Sequence, residues 1–241
     1  MSLRYACLIL DHDDTAVDST ATVHYPAHVE AMRVLRPGLQ PVDLEGWFLK
    51  NFHPGVMPYL EKELGLDPQE LATEYEIWRS FTTRHTPSFF PGILGTLREY
   101  RRLGGKIAVV SHSEPDVILK HYRDAGHESL LPDLVFGWET DEAKRKPNPW
   151  PVRETLRRLA QPAEQVLILD DLKPGVLMAR AAGVAVAGAG WAHRIPQIRE
   201  YMESSCLAYF ESVGSFREFI LGEATACRRR SPASGLPSSP P

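Results

Sequence analysis

The segment LILDHDD, residues 8–14, decides the fold, because a run of three aliphatic side chains ends abruptly among three acids. Residues 8–10 are typical of a buried strand. Asp11, Asp13 and Asp14 are costly to bury unless an opposite charge or hydrogen bonds compensate them. The segment therefore predicts a strand that leaves the core at an acidic edge. A metal site, a nucleophile and a solvated turn are the alternatives there.

The composition is that of a globular chain with one domain, or one domain with a smaller insertion. Its 241 residues are 43% hydrophobic and 24% charged, with a formal net charge of −4. No basic stripe with interleaved aromatics indicates nucleic acid, and no apolar run approaches the roughly 20 residues of a membrane span. The first apolar run is too short for a signal peptide, and Cys7, Cys206 and Cys227 form no zinc or disulfide spacing. We expect a cytoplasmic protein without nucleic-acid or membrane partners.

Apolar runs and helical patterns alternate along most of the chain. Buried strands are predicted at residues 5–10, 106–110, 165–169 and 184–187, with weaker candidates at 134–136 and 207–210. Helices are predicted at residues 92–103, 149–159 and 174–182, and a further helix is predicted to begin after Ser113 as its N-cap. Because strands alternate with helices, we expect an α/β fold with a Rossmann-like, doubly wound parallel sheet.

One stretch, residues 19–91, interrupts this alternation with helical patterns and no convincing strand. Its last helix begins with a plausible capping box at residues 67–70. An apolar stripe follows at helical spacing, formed by Leu71, Tyr75, Trp78 and Phe81. This stripe predicts a core face packed on other helices.

The pattern divides the chain into three parts. Residues 1–18 and 92–223 form the predicted α/β core, and residues 19–91 form an inserted α-helical cap. Residues 224–241 are rich in Pro, Ser and Arg without periodicity, which predicts a disordered tail.

Chemically active side chains follow the predicted strands. Asp11 and Asp13 follow the first strand, Ser111 and His112 the second, and Asp170 and Asp171 the fourth, while Lys146 lies in a basic run before the helix at 149–159. Ligands of open parallel sheets bind at these strand ends. Carboxylates suit Mg²⁺, and a hydroxyl beside a helix N-terminus together with a lysine suits an anion. The set predicts a phosphate site, in which one carboxylate attacks phosphorus and another handles the leaving-group proton.

Four motifs resemble those of the haloacid dehalogenase superfamily, in its phosphoglycolate phosphatase-like and β-phosphoglucomutase-like group with a helical cap. LDHDDTAVDS resembles the first motif, VVSHS the second, RKPNP the third and LILDDLKPG the fourth. They occur in this order over residues 5 to about 220. The sequence departs from the pattern at His12, which replaces a common Phe or Leu, and at His112, which replaces a frequent Asn.

The resemblance implies a role for each matching residue. Asp11 becomes the nucleophile that forms an aspartyl-phosphate, and Asp13 becomes the general acid/base. Ser111 and Lys146 hold the phosphoryl oxygens. His112 borders this phosphate pocket, where a protonated ring would add positive charge.

The resemblance also implies a magnesium site. Asp171 ligates Mg²⁺ directly or through water with help from Asp170, and Asp11 and the backbone carbonyl of Asp13 complete the protein ligands. Asp14 is expected to be a turn residue rather than a catalytic one. Asp18 and Ser19 are expected to shape the hinge into a mobile cap, whose closure excludes bulk water.

A magnesium-dependent phosphatase for a small phosphorylated metabolite is the first functional hypothesis, with phosphoglycolate as the nearest named substrate. The dehalogenases of the superfamily lack the second aspartate. Because Asp13 supplies it here, phosphoryl transfer is favoured over dehalogenation. Alternatives are a phosphomutase, a phosphonatase acting through Lys50, a phospho-acceptor receiver, and a non-catalytic binding protein. We expect a small phosphate ester as partner and a monomer or homodimer. Five cap residues could reach substrate, although a surface role is favoured for each: Lys50, His53, Arg79, Arg84 and His85.

Overall fold

Residues 3–222 of the chain are described here from a computed structural model. The predicted disordered tail at residues 224–241 lies outside the described residues. Within the described part of the chain, no helix has both the length and the apolar composition needed to cross a bilayer.

The centre of the structure is a six-stranded sheet with the strand order β3-β2-β1-β4-β5-β6. The strands are β1 Cys7–Leu10, β2 Lys106–Val110, β3 Leu134–Phe136, β4 Val166–Asp170, β5 Ala185–Ala189 and β6 Ala208–Phe210. All five neighbouring pairs are parallel. Because the chain winds outward from β1 in both directions, the predicted doubly wound α/β fold is confirmed.

The register of the three central strands aligns their carboxyl ends. Leu10 of β1 lies opposite Val109 of β2 and Leu169 of β4. The residues that follow, beginning with Asp11, therefore leave the sheet at one edge. This edge contains the point where the winding reverses, which is where open α/β sheets form their binding crevice.

Within the described residues, the helices after residue 91 cover both faces of the sheet, and four more helices lie in the segment 19–91. They are α1 Tyr25–Leu35, α2 Leu44–Phe52, α3 Val56–Pro58, α4 Pro68–Arg84, α5 Ile93–Arg102, α6 Pro115–Asp124, α7 Trp150–Leu159, α8 Lys173–Ala182, α9 Pro196–Ser205 and α10 Val213–Leu221. Leu8 and Leu10 pack in one apolar cluster with α5, α6 and α10. Cys7 and Ile9 pack in a second cluster with α7, α8 and α9. Since alternate residues of a strand face opposite sides, burial on both faces explains the continuous apolar run of β1.

The segment 19–91 contains α1 to α4 and two π-helical segments, Thr20–His24 and Tyr59–Glu63. Its own apolar cluster includes Trp47, Tyr59 and Leu60. The two ends of the segment meet in an antiparallel bridge between Val17 and Phe89. The assignment of residues 19–91 to a separate cap domain stays a prediction.

The helix α4 begins with the capping box that the sequence predicts. The Asp67 carboxylate accepts hydrogen bonds from the amides of Gln69 (2.8 Å) and Glu70 (2.9 Å), and the Glu70 carboxylate accepts from the Asp67 amide (3.0 Å). These bonds satisfy amides that lack partners inside the helix.

The apolar stripe of α4 differs from its predicted role. Tyr75 is 38% exposed, and Leu71, Trp78 and Phe81 are half-buried. Leu71, Tyr75 and Trp78 line a large cavity above the sheet edge. The expectation of a core-facing stripe is therefore wrong for Tyr75 and Trp78, whereas Leu71 also packs against the apolar cluster of Trp47, Tyr59 and Leu60.

The start of α6 also differs from prediction. Its N-cap residue is Glu114, whose extended backbone is the conformation that a following proline enforces. Ser113 instead donates its backbone N–H to the Ser111 hydroxyl oxygen at 3.0 Å. Ser113 is not the N-cap, and this bond orients the Ser111 side chain.

Candidate active site

Three strand ends bring the predicted residues together. Asp11 follows β1, Ser111 follows β2, and Asp170 closes β4 with Asp171 next in sequence. Sheet pairing continues one step past β1, because the Asp11 amide donates to the Leu169 carbonyl at 2.9 Å. The first acid of the segment 8–14 is thus held by the sheet itself.

Lys146 lies between two of these carboxylates. Its Nζ atom donates to Asp11 Oδ1 at 2.6 Å and to Asp170 Oδ2 at 2.8 Å. The Lys146 residue is only 5% exposed. Burial favours the neutral amine, but the two carboxylates outweigh it and raise the pKa of Lys146. The ammonium is therefore charged and fixed in the floor of the site.

The carboxylates of Asp11, Asp170 and Asp171 form a group suited to a cation. Their nearest oxygens all lie within 4.8 Å of one another, and all three residues are buried. Asp171 Oδ2 has no hydrogen-bond partner within the described chain. Burial is the main reason why the pKa values of Asp11 and Asp171 are raised, and repulsion from the neighbouring carboxylates raises them further. The single ammonium of Lys146 acts in the opposite direction but does not offset these effects. A hard oxygen-seeking ion such as Mg²⁺ fits this donor set.

Gly175 in the first turn of α8 makes room for the Asp170 carboxylate. A Cβ atom at position 175 would lie 2.0 Å from Asp170 Oδ2 and 2.1 Å from its Cγ atom. The glycine of LILDDLKPG is thus a steric requirement of this site.

Asp13 belongs to a different environment, although it is two residues from Asp11. Its Oδ2 atom accepts from the Ser111 hydroxyl (2.9 Å), and its Oδ1 atom accepts from Ser19 (2.8 Å) and from His24 Nε2 (2.9 Å). Burial favours the protonated acid, but His24 outweighs it and holds the pKa of Asp13 well below its usual range. The Asp13 carboxylate is therefore an anion turned toward the segment 19–91.

The contact with His24 is one that sequence reasoning missed. His24 ends the π-helical segment before α1, and its Nδ1 atom accepts the indole N–H of Trp78 at 3.0 Å. Nε2 consequently carries the hydrogen that is donated to Asp13. No sequence signal at position 24 marks this chain of contacts, because it joins elements far apart in sequence.

The two histidines that depart from the motif patterns both have lowered pKa values, and His12 is fully buried whereas His112 is half-buried. His12 Nε2 lies 2.9 Å from His121 Nδ1, and burial lowers the pKa of His12 to about 3. His112 Nε2 lies 3.1 Å from the Lys146 backbone carbonyl, and burial together with the Lys146 charge lowers the pKa of His112 to about 4. This lowered pKa does not favour a protonated His112 that would add positive charge to the phosphate pocket. Its ring instead contacts the backbone that presents Lys146.

Asp14 lies in the turn that the sequence predicts, with a left-handed backbone (φ 58°). Its carboxylate accepts from the Thr20 amide at 3.2 Å, and the residue is only 3% exposed. The Asp14 side chain thus links the turn to the π-helical segment Thr20–His24 by a hydrogen bond. Asp14 is a buried turn residue and not a solvated one.

A cavity of about 540 Å³ opens above these residues. Its floor contains Asp11, Asp13, Lys146, Asp170 and Asp171. Its walls come largely from the segment 19–91 and are mostly apolar and aromatic. The cavity has room for an organic group beyond a phosphate.

None of the five basic cap candidates, Lys50, His53, Arg79, Arg84 and His85, is among the described residues that line this cavity. Lys50 forms an ion pair with Glu63 at 2.5 Å, and Arg79 forms one with Glu114 at 2.6 Å. The structure therefore gives the phosphonatase alternative through Lys50 no support.

Comparison with known proteins places this site in context. A family model described as haloacid dehalogenase-like hydrolase matches residues 8–189. A phosphoglycolate phosphatase from Aquifex aeolicus is 28% identical over 194 residues, covering 77% of this chain and 85% of that protein. A plasmid-encoded phosphoglycolate phosphatase from Cupriavidus necator is 26% identical, covering 77% of this chain and 81% of that protein.

Solved structures share the fold at lower sequence identity. CbbY from Rhodobacter sphaeroides, solved with xylulose-1,5-bisphosphate, matches with a TM-score of 0.67 at 20% identity, covering 86% of this chain and 94% of that chain. A haloacid dehalogenase-like family protein from Streptococcus pneumoniae has a TM-score of 0.67 at 17% identity, covering 86% and 93%. These likenesses extend over the sheet and the segment 19–91 together.

Proposed function

The chain belongs to the haloacid dehalogenase-like hydrolase family of enzymes, and we propose that it is a magnesium-dependent phosphatase that hydrolyses a small phosphate monoester through an aspartyl-phosphate. The observation that carries the proposal is the placement of Lys146 between Asp11 and Asp170 at the floor of the cavity. A fixed ammonium beside a carboxylate nucleophile suits a phosphoryl group, since it stabilises the charge on the phosphoryl oxygens. Relatives named phosphoglycolate phosphatase support the same reaction class.

In the first step, a carboxylate oxygen of Asp11 attacks phosphorus. The new bond is that of an acyl phosphate, and the bond from phosphorus to the ester oxygen breaks. Asp13 gives a proton to the departing alcohol. Lys146 and the Ser111 hydroxyl bind the phosphoryl oxygens during the transfer.

In the second step, water attacks the phosphorus atom of the aspartyl-phosphate. Asp13 takes the proton from this water, so that inorganic phosphate leaves and the Asp11 carboxylate is restored. The ionised Asp13 is already in the form that accepts this proton. A phosphate dianion bound nearby would raise the pKa of Asp13 toward the protonated form that the first step requires, because a like charge disfavours the anion.

The residues that would hold magnesium are Asp11, Asp170 and Asp171, with the backbone carbonyl of Asp13. When bound, the ion supplies positive charge that offsets the phosphoryl oxygens and the crowded carboxylates.

The test is a screen of phosphate monoesters, including phosphoglycolate and 4-nitrophenyl phosphate, with Mg²⁺ and with chelator. Wild type is expected to release phosphate only with the metal, and Asp11→Asn is expected to release none. Asp43→Asn is the matched control, because Asp43 caps α2 through the Gly46 amide and asparagine caps equally well. If wild type hydrolyses no ester, the proposal fails. If Asp11→Asn keeps wild-type turnover, the nucleophile is wrong.

A further inference from the structure

The wall of the cavity opposite the catalytic floor comes largely from one face of α4. Leu71, Glu74, Tyr75 and Trp78 recur at helical spacing on this face, and all four line the cavity. Trp47 of α2 adds a second indole to the same wall. The organic part of a bound ester would thus meet aliphatic and aromatic surface with one carboxyl group set into it.

The carboxyl group of Glu74, which lines the cavity, has no hydrogen bond or ion pair within residues 3–222 of the chain. Burial alone raises the pKa of its carboxyl group to about 7. The other acid of this wall, Glu114, is already paired with Arg79 at 2.6 Å and accepts the Tyr75 hydroxyl at 2.5 Å. Glu74 is therefore the carboxyl group of the wall that a ligand can still engage.

No uncommitted cation offsets this carboxyl. Among the described residues that line the cavity, Lys146 is bound to two carboxylates and His24 to Asp13. A second anionic group on the substrate would find no ammonium or guanidinium among the described α4 residues that line the cavity, because Arg79 lies outside the lining and is paired with Glu114. It would also approach the carboxyl group of Glu74, and like charges in a poorly solvated cavity repel strongly.

We propose that the alcohol part of the substrate carries an ammonium group, which Glu74 binds while Trp47, Tyr75 and Trp78 surround the carbon chain. The ammonium supplies the donors that the unpaired carboxyl lacks, and a charged donor makes the stronger kind of hydrogen bond. Indole and phenol rings attract a cation over their faces. This inference rests on the proposed phosphatase function and specifies its substrate class as phosphate monoesters of amino alcohols.

The test uses three ester series with the same chain length, from two to six carbons. They are ω-aminoalkyl phosphates, n-alkyl phosphates and ω-carboxyalkyl phosphates, the last beginning with phosphoglycolate. From about four carbons upward their alcohols differ mainly at the far end, so differences in kcat/KM at those lengths report recognition rather than leaving-group reactivity. Wild type is expected to prefer the amino ester at the length that spans the cavity, by about 10-fold or more over the alkyl ester.

Glu74→Gln is expected to lower kcat/KM for the amino ester by about 10- to 100-fold and to leave the alkyl ester unchanged. Glu76→Gln is the matched control, because Glu76 is an exposed residue of the same helix outside the cavity lining and its removal changes the same charge. Glu74→Lys is expected to shift the preference toward the carboxyalkyl ester. Such a shift needs a folded, active variant, so it separates recognition from misfolding.

The inference is overturned if no amino ester exceeds its alkyl counterpart, or if Glu74→Gln lowers all three series equally. A phosphoglycolate rate above that of 2-aminoethyl phosphate at every Glu74 variant would also overturn it. Failure of the underlying phosphatase proposal looks different, because 4-nitrophenyl phosphate would then not be hydrolysed at all.

Discussion

Gly175→Ala tests the geometry of the site without removing a polar group. The added methyl would lie 2.0 Å from Asp170 Oδ2 and 2.1 Å from Cγ, where ordinary contacts are 3.4–4 Å. Asp170 is 1% exposed, so its side chain cannot swing into solvent. The carboxylate must therefore move by about 1 Å or more, and a misplacement of that size in an active site costs roughly 100-fold in rate.

The expected loss has two parts that can be measured separately. Moving Asp170 breaks its 2.8 Å bond to Lys146 and disturbs the ammonium beside Asp11. We expect kcat/KM for 4-nitrophenyl phosphate to fall by about 100-fold. Overpacking costs about 1–3 kcal/mol of folding free energy, which the better helix propensity of alanine offsets by about 1 kcal/mol. Urea denaturation should therefore show destabilisation of at most about 2 kcal/mol.

Gly95→Ala is the matched control. Gly95 lies inside α5, and a Cβ there meets no atom within 4 Å. This variant should gain about 0.5–1 kcal/mol of stability and keep wild-type kcat/KM. The reasoning is refuted if Gly175→Ala retains wild-type kcat/KM, because Asp170 would then not need its observed position.

Three further predictions follow from the charges of the site. The pKa of Glu74 in the folded state is raised from 4.5 to about 7. Glu74 therefore lowers the free energy of unfolding increasingly as pH rises through this interval, because the folded state disfavours its ionised form. Glu74→Gln should therefore be more stable than wild type at pH 8, by up to about 3 kcal/mol, and equally stable below pH 4.5; equal stability at both pH values would contradict this. His24→Phe removes a hydrogen bond to Asp13 and should lower kcat by about 10- to 100-fold with KM little changed, whereas an unchanged kcat would remove His24 from the mechanism. Added Mg²⁺ should raise the Tm of wild type but not of Asp171→Asn, and an equal rise in both would exclude Asp171 as a ligand.

The sheet could be predicted from the sequence because its strands are buried on both faces. Six apolar runs correspond to six strands, and residues 106–110 and 134–136 match to the residue. The predicted start at Tyr5 is two residues early, because an apolar side chain near a strand end can pack on the core without joining the ladder. Burial dictates the residue type, whereas hydrogen bonding dictates the boundary.

The clustering of Asp11, Lys146, Asp170 and Asp171 could also be predicted, because parallel strands deliver their following residues to one edge. The contacts of Asp13 with His24 and of His24 with Trp78 could not be predicted from the sequence. They depend on how the segment 19–91 folds back over the sheet, and no spacing in the sequence encodes that distance. The role of the apolar stripe of α4 could not be predicted for a related reason. An apolar helix face that lines a cavity has the same helical period as one that packs in a core.

Asp11 and Asp13 are two residues apart, yet their surroundings separate them electrostatically. Hydrogen bonds from His24, Ser19 and Ser111 favour the Asp13 anion, while burial beside other carboxylates disfavours the anion of Asp11. Asp11 must be ionised to act as the proposed nucleophile, so it needs more positive charge than Lys146 supplies while Lys146 is shared with Asp170. A divalent cation on Asp11, Asp170 and Asp171 would provide it, because an opposite charge within a few ångströms lowers a carboxyl pKa. The repulsion among these buried carboxylates would then make cation binding and ionisation of Asp11 one coupled event.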